Sequence, residues 1–224
     1  MAAPLPFDRS QPKKRITLDD FIDRRLIPFS LFVGVVCLTW GNVQALLADY
    51  AKTYDVVAAA SSFFLLYALA SLLTRPITGK IYDAHGPAIL IYPCLILMIA
   101  GLLCLAWHAG SMAVLAAGIL VGLGFGNFQS VAQVSGISLV PRERFAQATS
   151  TFFIFFDLGI GLAPYLSGFL VVPLGYAGIF ALNALVVALT IPLIGTFGLI
   201  VARRLKRVAW SCRLTARACL TALA

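Results

Sequence analysis

The sequence predicts an all-α integral membrane protein, and three observations lead to this fold class. Hydrophobic residues make up 61% of the 224-residue chain and charged residues only 12%, and the mean hydropathy is +0.95. A soluble domain of this size could not bury so much apolar surface. The apolar residues also fall in continuous runs, which favours helices over the short alternating strands of a membrane barrel.

Six apolar runs with few or no charged residues follow one another along the chain. Each is close to the roughly 20 residues that a helix needs to cross a hydrocarbon core about 30 Å thick. We therefore expect six transmembrane helices, named the first to the sixth span. They cover residues 27–47, 56–73, 88–107, 112–134, 145–172 and 175–201.

Basic residues are distributed unevenly between the two sides of these spans. Sixteen of the 17 Lys and Arg residues flank the bundle or lie in its second-to-third and fourth-to-fifth connections, whereas Lys52 lies on the opposite side. Because Lys and Arg accumulate on the cytoplasmic side, we expect a multi-pass protein of the cell (cytoplasmic, inner) membrane with both termini cytoplasmic. The net charge of +8 then reflects topology and attraction to anionic lipids, and no nucleic-acid partner is expected.

Three segments divide the chain. Residues 1–26 are expected to form a cytoplasmic linker with a short interfacial helix, because the sequence from Thr17 to Asp20 resembles a capping box. Residues 27–202 are expected to form the six-helix transmembrane bundle. Residues 203–224 mix basic and apolar side chains, which predicts a basic cytoplasmic tail, either an interfacial helix or a disordered or non-native extension.

Two matches between spans indicate an internal repeat. WGNVQ in the first span resembles FGNFQ in the fourth, and the second and fifth spans match at a constant offset of 89 residues. Three helices per copy is an odd number, so the second copy enters the membrane from the opposite side. The predicted arrangement is a 3+3 inverted repeat, which is typical of secondary transporters. The matched segments are 40–44 with 125–129, 62–67 with 151–156, and 78–79 with 167–168.

With these features the chain resembles the C-terminal six-helix half of a major facilitator superfamily transporter, of the drug-efflux, proton-antiporter type. The resemblance covers residues 17–202 and rests on RPITGKIYDAHGP after the second span, GLGFGNFQS in the fourth and STFFIFFDLGIGLAPYLSG in the fifth. The first stretch contains the superfamily's cytoplasmic loop signature, G-x-x-x-D-x-x-G. It departs from the usual pattern where Pro87 and Ala88 replace basic residues.

The loop signature is the first candidate site. We expect Gly79 to let the chain leave the second span, and Asp83 to accept hydrogen bonds from free N–H groups at the start of the third. The resemblance implies a cytoplasmic latch that is broken and remade as the transporter changes access. The alternative is an ordinary capped turn with positive-inside charges. The residues concerned are Arg75, Gly79, Lys80, Asp83 and Gly86.

Polar and aromatic side chains within the spans form the second candidate site. Amides are costly against lipid, so they should face protein or a water-filled cavity. The resemblance implies that the first and fourth spans line a central substrate cavity with aromatic and amide groups and no charged pocket. The alternative is hydrogen bonding between helices, worth about 1 kcal/mol per bond. The candidates are Trp40, Asn42, Gln44, Tyr67, Asn127, Gln129 and Gln133.

Asp157 is the one acidic or basic residue in the fifth span. An ionised carboxylate at mid-membrane costs several kcal/mol, so it should be protonated, paired or open to a cavity. One hypothesis is that Asp157 binds the coupling proton of a transporter. The other is that a neutral Asp157 hydrogen-bonds a neighbouring helix and holds DLGIGLAP in a bent packing geometry.

The function predicted first is that of half a secondary active transporter for proton-coupled export of small molecules. Its expected partners are a small-molecule substrate, protons, the lipid bilayer and a complementary six-helix bundle, which could be a missing N-terminal half, a split subunit or a second copy. The alternatives are a non-transporting membrane fragment or a partner-binding six-helix protein, and last an intramembrane enzyme, for which one Asp is too few catalytic groups. No cofactor or metal is expected, because His85 and His108 lie on opposite sides of the membrane.

Overall fold

The computed structural model describes residues 22–24, 26–107 and 109–221, with side chains as far as Pro192. Within these residues the regular structure is helical and contains no strand. Five of the described helices are long and apolar enough to cross a membrane, which confirms a helical multi-pass membrane protein. The α-helices are α1 (Ile27–Thr53), α2 (Val57–His85), α3 (Ala88–Ala106), α4 (Ser111–Val121), α5 (Asn127–Ser138) and α6 (Phe145–Thr221).

Helices α4 and α5 form one continuous rod. A π-helical turn, Gly122–Gly126, joins them, so that a helix of 28 residues spans Ser111–Ser138. The rod begins after Gly110, whose φ of 78° ends the preceding connection. A short 3₁₀ turn, Arg142–Arg144, leads into α6.

Helix α6 contains a break at Gly175. Its φ of 66° and ψ of 173° are not helical, and they divide the described side chains of the helix into 145–174 and 176–192. Unbroken, the 51 residues Arg142–Pro192 would extend about 75 Å, more than twice the hydrocarbon core. The count of six spans and the 3+3 repeat stay predictions.

The predicted segment boundaries are only partly visible. Helix α1 begins at Ile27, next to the predicted end of the linker, whereas the α6 backbone continues past residue 202 without a helix end. The interfacial helix predicted near Thr17 and the side chains of the basic tail lie outside the described residues. The three-segment division therefore stays a prediction.

The expected roles of Gly79 and Asp83 as a helix exit and a helix cap are wrong. Both residues lie inside α2, which runs on to His85, and a Cβ at Gly79 would meet nothing within 4 Å. The chain instead leaves α2 at Gly86, where φ is 82° and the N–H donates to the Tyr82 carbonyl. The turn therefore depends on the last glycine of the signature, because only that glycine has a backbone that other residues avoid.

Helices α1 and α2 differ strongly in exposure. In the most apolar stretch of α1, 61% of the residues are buried, against 22% for α2. Helix α1 packs mainly on α6, and α2 packs mainly on α4. The outer surface of α2 carries Leu65, Leu72, Leu73 and Ile77, each more than half exposed. Such a surface suits contact with lipid chains or another apolar helix.

Two helix crossings are close because a glycine lies at each. A Cβ at Gly41 of α1 would lie 2.9 Å from the Ile160 Cα of α6. A Cβ at Gly126, beside α5, would lie 2.7 Å from the Ser71 Cβ of α2. Gly126 is 85 residues beyond Gly41 and Ile160 is 89 beyond Ser71. These offsets are those of the FGNFQ and second-to-fifth-span matches, so equivalent positions meet in both crossings.

A second pair of contacts repeats the same correspondence. A Cβ at Gly159 would lie 3.2 Å from the Cys37 Cβ, and one at Gly122 would lie 3.1 Å from the Ala70 Cβ. Cys37 corresponds to Gly122, and Ala70 to Gly159, at the same two offsets. In the first pair the glycine takes the position equivalent to Ala70, and in the second pair it takes the position equivalent to Cys37, with the same spacing in both. Small residues at such sites allow helix backbones to approach closely in membranes.

Candidate functional site

A cleft of about 340 Å³ lies between α2 and α5, towards the end of the bundle where α2 meets α3. Arg75, Gly79 and Asp83 of the loop signature line one side, and Asn127 lies at the other. The structure therefore brings most of the signature together with one of the predicted cavity residues. The cleft contains a guanidinium and a carboxylate, so its lining differs from the aromatic and amide lining expected for the central cavity.

The Asn127 amide is held on one side of this cleft by hydrogen bonds. Its Nδ2 donates to Thr74 Oγ1 and to the Leu123 carbonyl, both at 2.8 Å. The Thr78 hydroxyl lies 3.0 Å from Asn127 Oδ1, within donating distance. Asn127 is 4% exposed. The amide is therefore fixed in orientation by α2 and by its own helix.

A stack of four aromatic rings crosses the bundle above the cleft. Trp40 of α1 stacks on Tyr67 of α2 with centroids 4.5 Å apart, and on Phe125 with centroids 5.0 Å apart. Phe125 in turn stacks on Phe156 of α6 at 6.5 Å. Trp40 corresponds to Phe125, and Tyr67 to Phe156, in the predicted repeat. The stack thus pairs equivalent rings on either side of its centre and ties four helical segments together.

Asn42 lies at the position equivalent to Asn127 but has a different partner. Its Nδ2 donates to Asn183 Oδ1 at 3.0 Å, across to the part of α6 after Gly175. Asn42 and Asn183 are 4% and 3% exposed. Asn42 Oδ1 and Asn183 Nδ2 have no hydrogen-bond partner among the described residues. This pair is a helix-to-helix bond away from the cleft.

Asp157 stands on an open surface of α6. It lies about 18 Å along α6 from Phe145, and its side chain is exposed on the described bundle. One turn before it is Phe153, which is 36% exposed, and one turn after it is Gly161, where a Cβ would meet nothing within 4 Å. Within the described part of the chain, no hydrogen bond or ion pair reaches the Asp157 carboxylate, although Cys37 of α1 lies within electrostatic range.

The remaining predicted residues are scattered around these features. Gln44 is exposed on α1, and Gln129 and Gln133 are half-buried on α5. None of the three lines the cleft, and neither Lys80 nor Gly86 does. His85 is exposed at the end of α2, and His108 lies outside the described residues. The described residues hold no group of three or more His, Cys, Asp or Glu side chains that could bind a metal.

Sequence reasoning missed three residues that hold the site together. Thr74 and Asn183 are the partners of the two repeated asparagines. A search for polar residues within the sixth span would have found Asn183, whereas Thr74 lies one residue after the predicted end of the second span. Asp23, assigned to the linker, is 3% exposed, with its N–H donating to Thr151 Oγ1 at 2.9 Å and its carboxylate 3.6 Å from the Arg144 guanidinium. No pattern in the sequence marked Asp23 as buried.

No curated protein matches the chain. A protein-family model matches residues 29–210, well over half of the chain, and its description is Major Facilitator Superfamily.

Proposed function

Since the chain belongs to the major facilitator superfamily, we propose that it forms one six-helix bundle of a secondary active transporter that exports small molecules in exchange for protons. We infer the transport function from membership of this family. The matching contacts at Gly41 and Gly126 support an inverted repeat within the bundle. Two such bundles would enclose one cavity at mid-membrane and rock around it.

The observation that carries proton coupling is the open position of Asp157. A carboxylate in a span needs a proton, a partner or water, and Asp157 has no partner among the described residues. An exposed surface that includes Asp157, Gly161 and Tyr165 would face a second bundle, and the carboxylate would face the cavity between them. Protonation from one side and release to the other would then couple proton movement to the change of access.

The first experiment determines which assembly to assay. An antibody against residues after Arg203 reports the apparent mass of the native membrane product. A band near 24.0 kDa means a half-size protein that needs a separate partner bundle or a second copy. A band of about twice that mass means that this sequence is a segment of a longer two-bundle chain.

The second experiment tests export and coupling in that assembly. Cells preloaded with ethidium, Nile red or fluorescein report the export of a cationic, a neutral or an anionic probe. We expect proton-dependent export of at least one probe, its loss in Asp157→Asn, and its retention in Asp49→Asn. Asp49 is the matched control because it is exposed and bound to Lys52 at 3.2 Å. Full export by Asp157→Asn would end the coupling proposal, and no export of any probe would favour a partner-binding membrane protein.

A further inference from the structure

The cleft between α2 and α5 has three hydrogen-bond donors without partners. The Arg75 guanidinium and the hydroxyls of Tyr82 and Ser130 line it, and none of the three groups has a hydrogen-bond partner within the described part of the chain. Arg75 and Tyr82 are seven residues apart on α2, so they lie on one side of that helix. Ser130 faces them from α5, one turn after Asn127.

The neighbouring polar groups are already satisfied. The Asn127 amide is hydrogen-bonded to Thr74 and Thr78 of α2, so it does not need a ligand to satisfy its hydrogen bonds. Val131 and Val134 provide an apolar wall beside the donors. A ligand entering the cleft would therefore meet fixed apolar and amide surfaces and a small group of free donors.

The positive charge of Arg75 favours an anion as the ligand of the cleft. Arg75 lies about 15 Å along α2 from the end of the helix at His85. Arg75 is exposed on α2 without a hydrogen-bond partner among the described residues, and a guanidinium binds carboxylates through paired hydrogen bonds. Asp83 also lines the cleft, but it is about 12 Å further along the helix from Arg75, at the open end where solvent screens its charge.

We propose that this cleft binds the oxyanion of a small organic acid, with Arg75 as the cation and Tyr82 and Ser130 as additional donors. The inference gives the substrate class of the proposed transporter. It rests on the proposed transport function only in assuming that the bound ligand is also transported. A volume of about 340 Å³ accommodates an aromatic or short aliphatic acid. The oxyanion could also come from a lipid phosphate, and the experiment below separates the two sources.

The test is binding of radiolabelled benzoate to the full chain in phosphatidylcholine nanodiscs, with no transport step involved. We expect unlabelled benzoate to compete and the neutral isostere benzamide not to compete. Arg75→Gln should weaken benzoate binding at least about tenfold, as expected for loss of a charge-assisted bond. Lys80→Gln removes an equal charge from the same helix outside the cleft and should leave binding unchanged. Ser130→Ala, a milder change on the opposite wall, should weaken it about threefold.

Three results would overturn the proposal. They are equal binding by Arg75→Gln and the wild type, equal losses in Arg75→Gln and Lys80→Gln, and effective competition by benzamide. In nanodiscs containing phosphatidylglycerol, unchanged benzoate affinity supports an organic acid. Lost affinity, with a phosphatidylglycerol adduct that depends on Arg75 in native mass spectrometry, assigns the cleft to lipid instead. Proton-dependent export that persists without benzoate binding would leave the transport function standing and remove this inference alone.

Discussion

At the crossing of α1 with α6, Asn42 lies in a sequence position that corresponds to Asn127 at the crossing of α2 with α5. The residue corresponding to Thr74, which bonds Asn127, is Ala163. Ala163 has no hydroxyl, and Asn42 bonds Asn183 beyond the Gly175 break instead. The hydroxyl of Thr74 is thus one difference between two crossings with matching glycine contacts, and their two amides bond different helices.

The two crossings also differ in whether they hold a cleft. The Asn127 crossing opens into a cleft with free donors, whereas the Asn42 crossing is closed by a buried amide pair. Glycine spacing sets how closely the helices approach, and side-chain chemistry decides which crossing holds a cleft. Each of the following predictions changes one member of this comparison and leaves its counterpart as the reference.

The largest effect is expected at the glycines. Gly41→Ala would place a Cβ 2.8 Å from the Ile160 carbonyl oxygen and 2.9 Å from its Cα, and backbone atoms cannot rotate away. We expect a loss of about 2–3 kcal/mol in unfolding free energy. Gly126→Ala should cost somewhat less, because the Ser71 hydroxyl can rotate away and the nearest backbone atom, the Ser71 Cα, is 3.6 Å away, so that only the Ser71 Cβ at 2.7 Å requires the helices to shift. Unfolding in mixed micelles, followed by circular dichroism, measures both.

Gly161→Ala is the matched control for these variants. It lies on the open surface of α6 with nothing within 4 Å of its Cβ, so stability should be unchanged or slightly higher. Equal losses at Gly41 and Gly126 would show that the two crossings do not differ in the rigidity of their neighbours.

The next effect concerns the buried amide pair. Asn42→Leu alone leaves the Asn183 amide buried without its partner, which should cost about 2 kcal/mol. The double variant Asn42→Leu, Asn183→Leu removes both amides, including the atoms already without partners, and should return stability close to the wild type. A double-mutant cycle in the same unfolding assay gives the coupling. Additive losses would mean that the two side chains do not act as a pair.

A smaller effect is expected from Thr74→Ala, which makes the α2 crossing resemble its counterpart at Ala163. Loss of the 2.8 Å bond to Asn127 should cost about 1 kcal/mol, the usual range for hydrogen bonds between membrane helices. Ser61→Ala is the control, since Ser61 is exposed on α2 and donates only to the Val57 carbonyl of its own helix. If the two losses match, the hydroxyl at residue 74 adds nothing specific to this crossing.

The smallest effect lies in the aromatic stack. With the other two tryptophans of the chain replaced by Phe, Trp40 reports on its own surroundings. Tyr67→Leu removes a ring at 4.5 Å and should shift the Trp40 emission, with a stacking loss of about 0.5 kcal/mol. Phe156→Leu should leave the emission unchanged, because Phe125 stands between Phe156 and Trp40. A similar shift in both variants would contradict the order of rings in the stack.

Hydropathy and spacing predict much of this fold, because lipid forces the backbone into helices and makes apolar runs visible. The FGNFQ match predicts that Asn127 and Asn42 are related, and the glycine contacts agree. Partner choice was not predictable, since it depends on whether a hydroxyl such as that of Thr74 happens to face the amide in three dimensions. The signature was assigned to a loop because Gly79 and Gly86 look alike in sequence, and only their φ angles distinguish a helix interior from a helix end.

The glycines of this chain also differ in whether a second substitution elsewhere in the chain could rescue their replacement. Gly41 is constrained by its neighbours, one of which is the Ala163 Cβ at 2.7 Å, so a change on α6 such as Ala163→Gly can relieve part of the crowding that a substitution there causes. Gly86, Gly110 and Gly175 have open space around them but combine a positive φ with an extended ψ, a conformation essentially restricted to glycine. No second-site change in another helix can relieve a side chain at these three positions. In a selection experiment both kinds of glycine would be retained, but revertants would arise elsewhere in the chain only for the first kind.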